Sequence, residues 1–129
     1  MADSGVFEMQ NHSYDFHELK PRKGCLRMAG ETAAAYRQCF LSDTQRAQDL
    51  FVSLGIEAPV CYTYPYGAVN AEAEALTAVC GFSVTLRCEE GVTALTRDTA
   101  CLKSIRRNNR DGRWNSAQFW DALLAQTEG

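Results

Sequence analysis

Histidine is scarce in this 129-residue chain: there are two, His12 and His17, and none later. Proline is nearly as rare, with three residues. No apolar run approaches the roughly 20 residues that a membrane-spanning helix needs, so no span is expected. The opening Met-Ala-Asp-Ser-Gly-Val-Phe-Glu-Met has neither a basic region nor an apolar stretch, so it does not read as a signal peptide. Excess positive charge is also missing. Thirteen basic against sixteen acidic side chains give a net charge of −3, which argues against a nucleic-acid binder. The one basic cluster, Arg106, Arg107, Arg110 and Arg113, is broken by Asn108, Asn109, Asp111 and Gly112 and reads as a solvated turn. None of the six cysteines pairs at the two-residue spacing of a zinc knuckle or a thioredoxin-like site, so a cysteine metal centre is not expected. Cys39, Cys61 and Cys80 lie in apolar stretches and are expected to act as small core residues. Spacing alone assigns no disulfides.

What is present suits one compact domain over residues 1–129, with 46% hydrophobic and 22% charged residues. Val6-Phe7-Glu8-Met9-Gln10 alternates weakly and predicts a short strand. Residues 11–30 are polar and irregular, as in a long functional loop. A helical period then runs from Glu31 to about Leu54, closed by Gly55. Ser42-Asp43-Thr44-Gln45 could cap a fresh start, so two helices are an alternative. Pro59–Tyr64 predicts a strand ended by Pro65-Tyr66-Gly67, and Asn70 caps a helix from Ala71 to Cys80. Phe82–Leu86 predicts another strand. After loop and the arginine turn, Ser116 is expected to cap an amphipathic helix, Ala117–Gln126, with Phe119, Trp120, Leu123 and Leu124 near one face. Strands alternating with helices predict an α/β fold with parallel strands, a barrel or a doubly wound sheet.

Two features just after predicted strands carry chemistry. The first is Asn11-His12-Ser13-Tyr14-Asp15-Phe16-His17. On a helix two residues five apart sit about 140° apart around the axis, so these histidines converge only on a bent loop. Such a pair suits a zinc-type site, because neutral imidazole is a good borderline-soft ligand. Spacing alone more readily describes two surface histidines near a turn. The second feature is Tyr64-Pro65-Tyr66-Gly67, where proline fixes the chain direction and Gly67 permits positive φ. Such a turn can present the Tyr66 N–H to a ligand, or it can simply connect a strand to a helix.

Together these residues resemble the polysaccharide deacetylases, a carbohydrate esterase family. Residues 11–17 resemble its metal-binding motif, residues 64–67 its substrate-groove turn, and residues 5–11 the strand entering the site. The similarity continues through Ala78-Val79-Cys80-Gly81-Phe82 and weakly into Ile105-Arg106-Arg107. Many members carry arginine where Thr63 stands. Its absence, with the five-residue histidine spacing, is more similar to the branch acting on poly-N-acetylglucosamine. The resemblance implies zinc or another divalent ion held by His12 and His17. It implies a backbone oxyanion donor at Tyr66, a groove formed by Tyr64, Pro65, Tyr66 and Gly67, and an N-acetylated polysaccharide as substrate. It further implies a hydrolase of amide bonds and an extracytoplasmic, cell-wall or cell-surface setting for a full-length member.

In that family an Asp-Asp pair several dozen residues before the histidines supplies the third ligand and the base. Here only Asp3 and Glu8 are acidic ahead of His12, and the family's late histidine acid has no counterpart. Met1–Gly5 resembles a helix tail, so Met1 is expected to be internal. The expectation is therefore the C-terminal portion of the domain, a partial (β/α) barrel lacking its first strands. It should be inactive alone, hold metal weakly, and be open to self-association along the exposed side. The alternatives are a non-catalytic carbohydrate-binding module or a plain structural domain.

Overall fold

The computed structural model describes residues 4–127. At its centre β1 (Cys61–Thr63) pairs in parallel with β2 (Val84–Leu86), in the register Cys61↔Val84, Tyr62↔Thr85, Thr63↔Leu86. Single parallel bridges extend this ladder on both sides, from Asn11 to Tyr62 and from Leu86 to Ile105. Four segments thus run side by side in chain order and in one direction, as the strand–helix alternation predicts.

The expected strand at residues 6–10 does not form a ladder. The Asn11 N–H donates to Cys61 O at 3.1 Å, and the Thr63 N–H donates to Asn11 O at 2.9 Å. One residue earlier the pairing stops, because the Cys61 N–H turns to the Gln10 side-chain oxygen at 2.9 Å. Val6 and Phe7 remain 78% and 56% exposed. Alternation without a surface to pack on does not make a strand. The helix tail expected over residues 1–5 falls largely outside the described residues.

Helix α1 spans Ala33–Ser53, with Thr32 accepting the Ala35 N–H as N-cap. It ends in a Schellman turn: Ile56 N–H bonds to Phe51 O, Gly55 N–H bonds to Val52 O, and Gly55 sits at φ 72°. The alternative break at residues 42–45 does not occur. Tyr36, Phe40, Asp43, Thr44 and Ala47 make one continuous buried stripe, so Asp43 faces inward instead of capping a second helix. Helix α2 (Ala71–Val79) starts where expected, with Asn70 accepting the Ala73 N–H at 3.0 Å.

The core lies between the ladder and these helices. Tyr36, Phe40, Tyr62 and Tyr64 are fully buried, joined by Phe16, Cys25, Leu76 and Phe82. Each such ring contributes about 1.5–3 kcal/mol by leaving water. Cys25 comes from the polar loop, and Cys39 is exposed, which corrects the assignment of Cys39 to the core. Burial pushes the Cys25 thiol up to about 12, so it is an inert packing group. All six cysteines are free thiols. The loop is folded over the core by Arg22, which forks onto Glu31 at 2.7 and 3.0 Å, with both side chains nearly buried.

Beyond β2, a short 3-10 turn at Thr99–Leu102 precedes α3 (Ser116–Ala125). Asn115, not Ser116, is its cap, in a reciprocal capping box with Gln118. No α3 residue is fully buried; Leu123 and Leu124 lean on an open apolar recess with Val92, Leu95 and Ile105. No helix among the described residues is long and apolar enough to cross a membrane.

Candidate metal and substrate site at the carboxyl ends of the strands

Parallel strands deliver their outgoing connections to one rim, and in open and closed α/β sheets ligands bind there. Here the rim receives the loop after Asn11, the turn after β1, the segment after β2, and the segment after Ile105. His12 and His17 stand on the first of these, with ring centroids 5.0 Å apart. Two imidazoles gripping one tetrahedral ion at about 2.0–2.1 Å also stand roughly 5 Å apart.

The loop brings them together through a chain of bonds that starts at a buried asparagine. Asn11 is fully buried, and its side-chain oxygen accepts the Ser13 N–H at 2.8 Å. Ser13 takes φ 73°, a reversal that asparagine and glycine make more readily, and its hydroxyl accepts the Phe16 N–H at 3.2 Å. Asp43 then reaches up from α1. Its two carboxylate oxygens accept the Tyr14 N–H at 3.0 Å and the Asp15 N–H at 2.7 Å. Burial raises the Asp43 pKa above the ordinary carboxylate range, while the two N–H bonds pull it back. In the sequence Asp43 stands out only as part of the possible cap Ser42-Asp43-Thr44-Gln45.

His12 Nδ1 lies 2.8 Å from Thr63 O. A carbonyl only accepts, so this nitrogen carries a proton, and in the neutral ring Nε2 is then the nitrogen with the free lone pair. That is the arrangement by which an outer partner orients a metal-binding imidazole. His17 packs against the Tyr66 ring, centroids 4.5 Å apart, and the Tyr66 hydroxyl donates to His17 O at 3.2 Å. Among the described residues no third histidine, cysteine or carboxylate joins the pair to complete a metal cluster. The Asp15 side chain is exposed, and Asp3 lies outside the described residues.

The turn after β1 is a 3-10 turn, Pro65–Gly67. Positive φ occurs at both Tyr66 (57°) and Gly67 (62°). The turn's own bonds run from Gly67 N–H to Tyr64 O and from Ala68 N–H to Pro65 O, so they leave the Tyr66 N–H unused. Tyr66 is 40% exposed, whereas Tyr64 is fully buried, its hydroxyl 2.9 Å from Thr77 Oγ1, and Pro65 is buried beside it. Two glycines lock the rim. A Cβ at Gly24 would stand 2.6 Å from Pro65 O, and one at Gly67 would stand 2.8 Å from the Cys88 nitrogen.

A histidine pair and an amide-presenting turn on the carboxyl rim of a parallel α/β sheet define the class: an α/β domain with its candidate site at that rim. The chain belongs to the polysaccharide deacetylase family, whose description matches residues 1–85, more than half its length. It is similar in structure to the deacetylase domain of BpsB from Bordetella bronchiseptica, with a TM-score of 0.64 and 27% identity over 83% of this chain and 45% of that one. It also resembles a de-N-acetylase from Aggregatibacter actinomycetemcomitans, with a TM-score of 0.69 and 16% identity over 94% of this chain and 49% of that one; this likeness shows the fold alone. The chain thus spans about half the length of these structures, and its described residues form part of the polysaccharide deacetylase fold. A comparison with curated proteins gave no significant match.

Proposed function

We propose that this chain carries the histidine-and-turn half of a metal-dependent hydrolase that removes N-acetyl groups from a polysaccharide. The observation that carries this reading is the His12 Nδ1–Thr63 carbonyl bond, which leaves Nε2 ready as a ligand 5.0 Å, centroid to centroid, from the second imidazole. His12 and His17 would hold the ion, zinc or another divalent metal. When bound, it supplies Lewis acidity and a water of lowered pKa. The Tyr66 amide, fixed by positive φ, donates to the oxyanion that forms at the acetyl carbon. Tyr66 and Gly67 face the polymer, while Tyr64 and Pro65 support them from below. Among the described residues no group of three histidine, cysteine or carboxylate side chains gathers at the pair. The chain alone is therefore proposed to bind and not to turn over. The same absence favours, as the second reading, a carbohydrate-binding module without chemistry. The exposed Val6, Phe7 and Val60 give self-association a surface, and sedimentation of a concentration-independent monomer would remove that part of the proposal.

Zinc titration tests the metal half directly. Two neutral imidazoles without a carboxylate should fall far short of a complete site, giving a Kd in the micromolar range or weaker, about 8 kcal/mol or less. Binding should vanish in the His12→Ala, His17→Ala double variant. Unchanged zinc binding in that variant overturns the assignment and turns attention to the free cysteines.

A further inference from the structure

The same rim carries a second feature that the histidine pair and the turn do not use. The segments after β2 and after Ile105 enclose a cleft of about 310 Å³ lined by Cys88, Glu90, Arg107, Asn108 and Asn109. It is at the lower end of ligand-pocket size, roughly 300–1,000 Å³. Its near wall is Cys88, which packs so closely on Gly67 that no Cβ fits between them. The cleft therefore adjoins the turn, on the side of β1 opposite the histidine loop. Beyond it, a smaller recess of about 60 Å³ shares Glu90, Asn108 and Asn109 and adds Trp114, which is 41% exposed.

The lining has the chemistry of a site for a neutral, polyhydroxylated ligand. Arg107 is held in place by Nε donating to Arg87 O at 2.8 Å and by Nη2 donating to the Cys88 sulfur at 2.7 Å. Asn108 is anchored through its amide nitrogen to Gly91 O at 2.8 Å, which turns its oxygen to other use. Asn109 and Glu90 have no side-chain partner among the described residues. Primary amides offer both donors and an acceptor, which match hydroxyl and acetamido groups. A carboxylate in the cleft and a net charge of −3 disfavour a phosphate backbone. An exposed indole beside such groups offers a flat apolar face, the partner that the C–H face of a pyranose ring takes.

We infer that the cleft at Arg107, Asn108, Asn109 and Trp114 is a sugar subsite, holding a unit of the polymer next to the one presented to the histidines. This rests on the polysaccharide reading above and extends it from the reacting unit to its neighbour. Binding should then improve with oligomer length. The added stacking and amide bonds should raise affinity about five- to tenfold once the chain reaches from the turn to Trp114.

The test is nuclear magnetic resonance of the labelled whole chain, titrated with N-acetylglucosamine oligomers of increasing length. Oligomers should shift the Tyr66 and Gly67 amides, and the longer ones should also shift the Trp114 indole and Asn109 side-chain signals. Trp114→Ala and Asn109→Ala, both at exposed positions, should each remove most of the length-dependent gain and leave the Tyr66 response intact. Shifts confined to Tyr66 and Gly67 at every length overturn the subsite while the deacetylase reading stands. Shifts confined to the cleft support the subsite and count against the turn as the place of reaction. No shift anywhere overturns both.

Discussion

Replacing Asp43 with alanine is expected to cost about 2–4 kcal/mol of stability and to abolish zinc binding, although Asp43 is on a helix and not in the histidine motif. Its two oxygens hold the Tyr14 and Asp15 N–H groups midway between His12 and His17, and leaving each of these donors without an acceptor costs about 1–3 kcal/mol. Asp43→Asn separates positioning from stability. Burial raises the Asp43 pKa, so the folded chain takes the proton more readily than the unfolded one. The stability this group contributes is therefore fully present below the ordinary carboxylate pKa of about 4. It is lost as pH rises through the raised folded value. The neutral amide removes that cost, so melting of Asp43→Asn near pH 7 should differ little from the parent and should depend less on pH as it rises above about 4. One of the two N–H groups, however, now meets an NH₂. The loop should loosen, and zinc affinity should fall about tenfold or more, as when other outer-shell partners are lost. Zinc affinity that follows stability in both variants would show that Asp43 only holds the fold together.

The sequence makes the order of elements legible because the strongest signals are local. Asn70 before Ala71 and Gly55 after Leu54 act through their own backbone bonds, and the helices begin and end there. Features that depend on what lies across from them are less legible. Residues 6–10 alternate like a strand but become one only where a neighbour offers a ladder, and that is at Asn11 alone. Ser42-Asp43-Thr44-Gln45 has the composition of a cap. Asp43, however, falls on the same stripe as Phe40 and Ala47, and tertiary bonds to Tyr14 and Asp15 outweigh its local preference. Cys25, in a polar loop, becomes a core thiol because Arg22 pins that loop to Glu31, a tie that no periodicity describes. For the site, the resemblance of residues 11–17 and 64–67 to the family's motifs points to His12, His17 and Tyr66. The bond from His12 to Thr63, the tyrosine contact of His17 and the cleft beyond Cys88 arise only when four segments meet at one rim.

On N-acetylglucosamine oligomers the purified chain should release no acetate above background, with or without added zinc. Amide hydrolysis at a metal site needs the positioned water, a base to take its proton and a donor for the oxyanion. Groups that act as a unit lose nearly everything when one is missing. Two imidazoles and the Tyr66 amide are on the rim, but no carboxylate joins them among the described residues, and no histidine follows His17. The family resemblance implies that the base and third ligand would come from an Asp-Asp pair on a strand ahead of the histidines. Residues 7–10 and 55–60 border an open cleft of about 480 Å³, and among the described residues Asn11 pairs only with Tyr62. Adding a deacetylase N-terminal segment that carries the pair, by fusion ahead of Met1, should raise acetate release by roughly a thousandfold or more. That gain should disappear again in His12→Ala and in His17→Ala. Acetate released by the chain alone would overturn the division of labour, and Asp15, the carboxylate within the histidine loop, would then be the first to replace. A fused protein that binds oligomers yet never releases acetate would instead establish the non-catalytic carbohydrate-binding reading.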